Sequence, residues 1–200
     1  MASSYTGLGV ELMVTGENAG TWGTKTNTNL KIIEQISGGF KSQAVNGTGA
    51  TTLTVTDGGT GATLASRSIK LTGTITANIT VTIPLDVQNF YFIENATSGA
   101  YTVQFKYVTG SGTSVTWSAT DKGFKIVNAK ADDGTNPNIT DIVVGGLPGG
   151  SNTQVQYNNS GAFAGSANLT FDGTNLTVGG IATAAGGQLS TTGKSLVMGF

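Results

Sequence analysis

The residues best suited to chemistry in this sequence are acidic. Asp132 and Asp133 are adjacent in a hydrophilic stretch, and Asp121 and Asp141 are near them in the chain. Paired carboxylates can hydrolyse glycosidic bonds, and clustered carboxylate oxygens can bind Ca²⁺. The spacing matches neither a two-carboxylate catalytic pair nor a calcium-binding loop. We therefore interpret residues 131–137 as a solvated loop and rank a polysaccharide-cleaving enzyme last among the functions considered.

Other kinds of catalysis lack the side chains that they need. The 200-residue chain contains no cysteine and no histidine, which excludes thiol nucleophiles, Ser-His-Asp triads and zinc sites built from Cys and His. The glycine-rich segment Asp57–Gly61 is not followed by the Gly-Lys-Ser/Thr of a phosphate-binding loop. We predict that the protein is not an enzyme and has no catalytic residue, cofactor or metal site.

Charge and hydropathy limit the possible partners. Ten Lys and Arg against eleven Asp and Glu give a net charge of −1, so no basic excess is present to neutralise nucleic-acid phosphates. The N-terminus shows no basic start followed by an apolar run, and no stretch approaches the roughly 18 apolar residues of a membrane helix. We expect a protein that is made in the cytoplasm, is not exported by the general secretory route, and neither binds nucleic acid nor enters a membrane.

A helix is predicted only near the N-terminus. Leu30, Ile33 and Ile36 fall on one helical face, and the Thr and Asn side chains of residues 26–29 can cap the first turn. Ser37–Gly39 ends the helix, because glycine readily adopts the left-handed conformation that follows a last turn.

The predicted helix needs a partner. A helix of about three turns is marginal in water, and Trp22 lies among glycines with few local neighbours. Large aromatic residues often dominate interfaces. We therefore predict a docking surface formed by Trp22, Leu30, Ile33 and Ile36, within an attachment segment that spans residues 1–41.

Residues 42–146 are predicted to form an antiparallel β-sandwich, because short strands recur at intervals of about 8–12 residues. The stretch 90–93 is apolar on both faces and predicts a buried central strand. A domain of this size would gain stability from oligomerisation. The predicted strands are 53–55, 69–71, 75–83, 90–93, 101–107, 115–117, 123–127 and 139–144.

Residues 147–200 are predicted to form a glycine-rich linker and a small C-terminal β-hairpin region. Leu169–Phe171 and Leu176–Val178 flank Asp172–Asn175, a good hairpin turn. Leu196–Met198 is a further short apolar run. The region has too few apolar residues for a core of its own and a two-stranded hairpin alone is barely stable, so we expect it to pack against other chains.

Loops carried by a rigid sandwich are the usual place for recognition. We consider that loops 57–66, 109–114 and 131–137 form a surface that binds polysaccharide on the host cell. The candidate contact residues are Asp57, Gly59, Ser111, Thr113, Asp132 and Asp133. The aromatic residues Trp117, Tyr101 and Tyr107 could stack on sugars, but core or subunit packing is favoured for them.

Three stretches resemble bacteriophage fibre proteins. Residues 3–40, SSYTGLGVELMVTGENAGTWGTKTNTNLKIIEQISGGF, resemble the N-terminal segment of phage tail-fibre and related virion proteins. Residues 53–84 with 90–106, which include LTVTDGGTGATLASRSIKLTGT and FYFIENATSGAYTVQFK, resemble a β-domain of the same proteins, in which an Arg precedes the second strand as Arg67 does here. Residues 149–178, GGSNTQVQYNNSGAFAGSANLTFDGTNLTV, resemble a fibre linker motif. The ending TTGKSLVMGF resembles natural termini of the group, and we expect the chain to be complete.

The resemblance implies a mechanical role in the virion. It implies that residues 1–41 attach the protein to tail or baseplate proteins and that the β-domains form a homotrimer projecting outward. A chain of 200 residues has no room for a long shaft and a large tip. The expectation is a short tail fibre or fibre base in contact with the host surface, with a head fibre, a decoration protein or an adaptor that carries another fibre as the alternative.

Overall fold

The computed structural model describes residues 3–120, 122–142, 149–160 and 162–179. The chain divides into two compact units, Met1–Val143 and Val144–Phe200. Residues 1–41, predicted to be a separate attachment segment, lie within the first unit, and Phe40 already begins a strand of its largest sheet. Three predicted features fall wholly or partly outside the described residues: the end of the strand at 139–144, the glycine-rich linker and the run Leu196–Met198.

The N-terminal part of the first unit contains two very short strands and one helix. Strand β1 (Ser4–Tyr5) pairs antiparallel with β2 (Glu11–Leu12), and helix α1 spans Trp22–Gly38. The helix therefore starts four residues earlier than the predicted cap at 26–29. The capping prediction was wrong: these residues lie inside the helix, and Thr21 holds the cap position without a side-chain hydrogen bond to the first turn.

The reason why glycine ends the helix also differs from the prediction. Gly39 has φ −66° and ψ 150°, an extended rather than left-handed conformation. Its N–H donates to the Gln35 carbonyl at 2.7 Å, and a Cβ at Gly39 would lie 2.7 Å from that same oxygen. Glycine is thus required by the close approach of two backbone segments.

Nine strands follow the helix in the first unit. After Leu53 a short 3-10 turn, Thr63–Ala65, leads back into the sheets. The strands are β3 (Phe40–Ala44), β4 (Gly47–Thr52), β5 (Ser68–Thr72), β6 (Ile75–Ile83), β7 (Asn89–Asn95), β8 (Val103–Tyr107), β9 (Val115–Trp117), β10 (Gly123–Ala129) and β11 (Ile139–Asp141).

These strands form two sheets, and the chain alternates between them from β3 to β8. One sheet has five strands in the order β11-β10-β7-β5-β3, and the other has four in the order β4-β6-β8-β9. Strands β3, β5 and β7 are mutually parallel, as are β4, β6 and β8. Each of the strands β4 to β7 is thus the connection between two parallel strands of the opposite sheet, and β3 to β8 form three stacked coils. Antiparallel strands β9, β10 and β11 complete the sheets.

The prediction of an antiparallel sandwich was therefore wrong for the pairing of β3 to β8, which is parallel within each sheet, and right for the pairing of β9, β10 and β11. It was also right for the class, which is mainly β with one helix. The alternation of apolar residues shows which face of a strand is buried, but not the direction of its neighbour. Parallel strands usually require a long crossover, often a helix. Here a strand in the opposite sheet supplies that crossover. Short strands therefore follow each other along the sequence as closely as in an antiparallel fold, although neighbours within a sheet are parallel.

The core lies between the inner faces of the two sheets. It is one cluster of buried residues, in which the rings of Tyr91 and Phe105 meet edge to face with 6.3 Å between their centres. The five-stranded sheet contributes Ile69, Leu71, Tyr91, Ile93, Val127, Ala129 and Ile139, and the four-stranded sheet contributes Ile75, Ile79, Val81, Ile83, Val103, Phe105, Tyr107, Val115 and Trp117.

The second unit contains a three-stranded antiparallel sheet in the order β12-β13-β14. Its strands are β12 (Gln154–Asn159), β13 (Ala162–Phe171) and β14 (Leu176–Val178). The predicted hairpin is confirmed: Asp172 Oδ1 accepts hydrogen bonds from the N–H groups of Thr174 and Asn175 in the turn. Among the residues of this unit whose burial is described, none is buried.

Candidate docking surfaces

Three of the four residues predicted for docking are placed on helix α1 as exposed apolar side chains. Trp22 is 66% exposed, Leu30 58% and Ile33 47%. At about 100° per residue, these three positions fall within an arc of about 80°. They form one stripe, which we call the helix stripe, that runs along about 17 Å of the helix axis between Trp22 and Ile33.

The fourth predicted residue is placed differently. Ile36 is half-buried and lines a small cleft with Leu8 and Asp86, among others. The residue of α1 that is fully buried is Ile32, which the sequence interpretation did not single out. The predicted helical face is therefore split, since Leu30 and Ile33 point to solvent while Ile36 lies at the junction with the rest of the unit.

A carboxylate holds the start of α1 in place. Glu11 in β2 is only 4% exposed, and its Oε2 lies 3.0 Å from the Lys25 Nζ on the first turns of the helix. Ser3 Oγ donates to Glu11 Oε1 at 2.8 Å. The hydrogen bond and charge of Lys25 lower the pKa of the Glu11 carboxyl, and the hydrogen bond and charge of Glu11 raise the pKa of the Lys25 amine.

An amide side chain fixes the middle of the helix to the same strand. Asn29 Oδ1 accepts from the Glu11 N–H, and Asn29 Nδ2 donates to the Glu11 carbonyl, both at 2.9 Å. Asn29 thus pairs with the backbone of β2 in the way that a neighbouring strand would. Sequence reasoning took Asn29 for a cap, because Asn is common at both kinds of position.

Arg67 fixes the end of the helix. Its Nε donates to the Ile36 carbonyl at 2.9 Å, and its Nη1 donates to the Phe90 carbonyl at 3.2 Å. A cation at a helix C-terminus also interacts favourably with the helix dipole. The guanidinium therefore connects the last turn of α1 to strand β7, and the helix stripe is presented by a helix that is held at both ends.

Two of the three predicted host-contact loops are joined to each other. The Ser111 N–H donates to Asn136 Oδ1 at 2.8 Å, and the Thr113 N–H donates to Asn138 Oδ1 at 3.0 Å. Gly112 packs so closely on the Pro137 carbonyl that a Cβ there would collide with it. The loops 109–114 and 131–137 therefore form one connected surface.

The aspartates of this surface are used to hold the loop backbone. Asp132 Oδ1 accepts from the Asn138 N–H at 2.8 Å, and Asp133 Oδ1 accepts from the Thr135 N–H at 2.7 Å. These backbone hydrogen bonds lower the pKa of both carboxyls. Within the described part of the chain, no group of three or more His, Cys, Asp or Glu side chains is arranged to hold a metal ion.

The third loop contacts the N-terminal segment. Beside Asp57, the Gly58 N–H donates to the Gly9 carbonyl at 2.9 Å. The Gly59 N–H donates to the Thr56 carbonyl at 3.1 Å and closes the turn. Further along, the Gly61 N–H donates to the Gln35 Oε1 of α1 at 3.2 Å. The glycine-rich segment 57–61 thus packs between the N-terminal strands and the helix.

The predicted core role of two aromatic residues is confirmed. Trp117 and Tyr107 are buried in the cluster between the sheets, and Trp117 Nε1 donates to the Gly123 carbonyl at 2.9 Å. Tyr101 is 38% exposed and lies before β8 begins. A sugar-stacking platform shared by the three residues is therefore not formed.

A further apolar surface, on the outer face of the five-stranded sheet, was missed by sequence reasoning. Strand β7 is central in its sheet, as predicted, but it is buried on one face only. The outer face carries a row across four strands, since Phe40 is paired with Ser68, Ser68 with Phe92, and Phe92 with Ile126. Ile142, the residue after β11, extends the row by donating its N–H to the Ile126 carbonyl. We call this outer face, with Phe90 and Phe124 on either side of the row, the aromatic face.

A cleft lies beside one end of the aromatic face. It has a volume of about 600 Å³ and is lined by Arg67, Gln88, Asn89, Phe90, Asn128, Lys130 and Asp132. Asn89 Nδ2 is buried and has no hydrogen-bond partner. The cleft therefore combines an aromatic ring, three amides, two cations and one of the predicted host-contact residues, Asp132.

Comparison of the chain with family models, with curated proteins and with solved structures finds no match. The helix of the described segments lacks the length and the hydropathy for crossing a bilayer.

Proposed function

We propose that this protein is a non-enzymatic structural component of a bacteriophage virion. It is a short homotrimeric tail fibre, or the base of a longer fibre, attached to tail or baseplate proteins by its N-terminal segment and projecting outward to the host surface. The resemblance of residues 3–40 and 149–178 to fibre proteins supports this role. A head fibre, decoration protein or adaptor is the alternative within the same class.

The helix stripe is the observation that carries the proposal. A helix that only stabilised its own chain would turn its large apolar side chains inward. Here Trp22, Leu30 and Ile33 face solvent, while Glu11 and Arg67 hold the helix rigidly beneath them. An anchor that is already ordered loses little conformational entropy on docking.

The structure also changes how attachment is best tested. Deletion of residues 1–41 would remove α1, the Glu11 contacts and the start of β3, and it would disturb the fold. The sharper variant is Leu30→Ser with Ile33→Ser, since both side chains are exposed. We expect particles assembled with this variant to contain at least about tenfold less of the protein, as loss of buried anchors costs roughly 2 kcal/mol or more each.

The matched control is Val108→Ser, an apolar residue that is 46% exposed and lies after β8. Quantitative mass spectrometry of purified particles should find this variant at the wild-type level. Normal incorporation of the helix variant would show that the anchor assignment is wrong. Antibody labelling of particles that contain the wild-type protein, viewed by electron microscopy, separates a tail position from a head position.

The cleft at Arg67 and Lys130 favours a second candidate function, binding of an acidic surface polysaccharide. Aromatic rings stack on sugar rings, amides hydrogen-bond hydroxyl groups, and cations pair with carboxylates. The variants are Lys130→Gln, in the cleft, and Lys106→Gln, on the outer face of the other sheet. We expect the first to weaken binding to acidic glycans on an array severalfold and the second to leave it unchanged; equal binding by both would refute the site.

A further inference from the structure

The aromatic face concentrates exposed aromatic side chains on the outer surface of one sheet. Four of its phenylalanines are well exposed: Phe40 62%, Phe90 46%, Phe92 45% and Phe124 72%. With about 200 Å² for a free ring, these fractions leave about 450 Å² of exposed aromatic surface. The largest apolar patch of a monomeric protein is roughly 300–600 Å² and often functional. Ile126 and Ile142 add to this face.

The outer face of the four-stranded sheet is the internal comparison. Its pairing places Thr80 beside Gln104 and Gln104 beside Thr116 in one row, and Thr82 beside Lys106 in the next. The outward side chains of this sheet are thus polar at the positions where the aromatic face has rings. Two sheets of one sandwich, made from alternating strands of the same coils, differ sharply in the character of their outer faces.

We propose that the aromatic face is the interface between copies of this chain. The number of copies, three, rests on the proposed function, whereas the location of the interface rests on the face itself. Five strands about 4.8 Å apart give a surface about 19 Å wide. The exposed rings alone supply about 450 Å² of the roughly 800 Å² per partner that a standard interface buries.

Charge indicates that the occupant is a second copy rather than a foreign protein. The face carries one cation and one anion in the row next to Phe92, where Lys70 Nζ lies 3.1 Å from Glu94 Oε1. Each copy therefore offers both a cation and an anion to its neighbour at this surface, as contact between identical chains requires. A strongly acidic or basic partner would find no excess charge to bind.

The first test is the mass of the full-length protein in solution by light scattering. We expect the wild-type protein to have a mass that is a multiple of the 20.2 kDa chain. The variants Phe92→Lys and Phe124→Lys should each have the mass of a single chain. The matched control is Thr116→Lys, exposed on the polar outer face of the other sheet, which should keep the wild-type mass. Circular dichroism should show the same β content for all of these proteins.

A second test does not depend on adding charge. Because the chain has no cysteine, Ser42→Cys on the aromatic face and Thr60→Cys in the loop can each be labelled singly; both wild-type side chains are exposed. In the assembled protein we expect maleimide to modify the cysteine at 42 at least tenfold more slowly than the one at 60. In the Phe124→Lys background the two rates should become similar.

The outcomes separate this inference from the proposed function. A monomeric wild type overturns both the interface and the trimer. A wild-type multimer that persists in Phe92→Lys and Phe124→Lys, with rapid labelling at 42, overturns the interface alone and leaves a fibre joined elsewhere. A dimer that these variants dissociate supports the interface and overturns the trimer. If the variant with Leu30→Ser and Ile33→Ser is still incorporated into particles, only the proposed attachment through the helix stripe is refuted.

Discussion

Tyr107 shows how single residues connect the loops of this fold to its core. The ring lies in the cluster between the sheets, while its hydroxyl donates to the Val87 carbonyl at 2.8 Å and accepts from the Ala131 N–H at 2.7 Å. Burial raises the pKa of the phenol, so it remains a neutral donor across the physiological range. One side chain thus ties β8 to the loop that holds Asp132 and Asp133.

The variant Tyr107→Phe keeps the packing and removes both hydrogen bonds. We expect a loss of about 1–3 kcal/mol in the free energy of unfolding, because a buried carbonyl and a loop N–H lose their partner. Urea denaturation at fixed protein concentration measures it. The control is Tyr101→Phe, a tyrosine 38% exposed, for which a change below about 0.5 kcal/mol is expected. Equal stability of the two variants would contradict this account.

At the residue scale, the sequence indicated burial better than it indicated contacts. Trp117 and Tyr107 alternate with polar neighbours, and this pattern correctly predicted core positions. Asn29 and Arg67 could not be assigned in this way, because both act through hydrogen bonds to backbone groups far away in the chain, 18 residues for Asn29 and 31 for Arg67 with Ile36. Such contacts leave no local pattern.

At the scale of elements, the N-terminal helix is secured by a carboxylate whose charge matters. Lys25 is the main cause of the lowered pKa of Glu11, with Ser3 contributing a further hydrogen bond. A carboxyl group with a lower pKa in the folded state than in the unfolded state stabilises the fold above the unfolded value and loses that contribution as the pH falls. The N-terminal segment should therefore loosen in acid.

We expect the amides of α1 and β2 to lose protection from hydrogen exchange selectively as the pH is lowered from 7 to below about 4.5. The ordinary pKa of the carboxyl group is 4.5. Hydrogen–deuterium exchange of these amides, corrected for the intrinsic rate, measures it. In Glu11→Gln the same amides should already be less protected at pH 7 and should change less with pH. If Glu11→Gln left the protection of these amides unchanged, the Glu11 carboxylate would not be what holds α1 in place.

The strands also divide into predictable and unpredictable sets. The runs at 69–71, 75–83, 115–117 and 123–127 were correctly predicted, since each alternates or concentrates β-branched and aromatic residues. Strands β3 and β4 were missed, and the predicted strand at 53–55 is not a strand in the structure. Strand β4 carries no apolar alternation, because Gly47–Thr52 consists of Gly, Thr and Ala. That segment is a strand because β6 pairs beside it, and a neighbour of this kind is a tertiary property.

At the scale of the whole chain, apolar surface is distributed so that association would bury it. The first unit exposes the helix stripe and the aromatic face, and the second exposes Tyr157, Phe163, Phe171, Leu176 and Val178 at 44–63%. The hydrophobic effect favours removing such surface from water. The trimeric fibre that we propose would provide this burial at the aromatic face and in the second unit, and the virion would provide it at the helix stripe.

The sequence by itself determined the class of the fold, the approximate positions of the helix and of most strands, and the absence of the side chains required for the commonest catalytic chemistries. These properties follow from composition and from the period of apolar residues along one segment. The tertiary structure decided that the strands coil in parallel between two sheets, that Ile36 leaves the helix stripe, and that the rings of Phe90 and Phe92 face outward. Each of these depends on which strand lies beside another, and hydrophobic periodicity does not encode that choice.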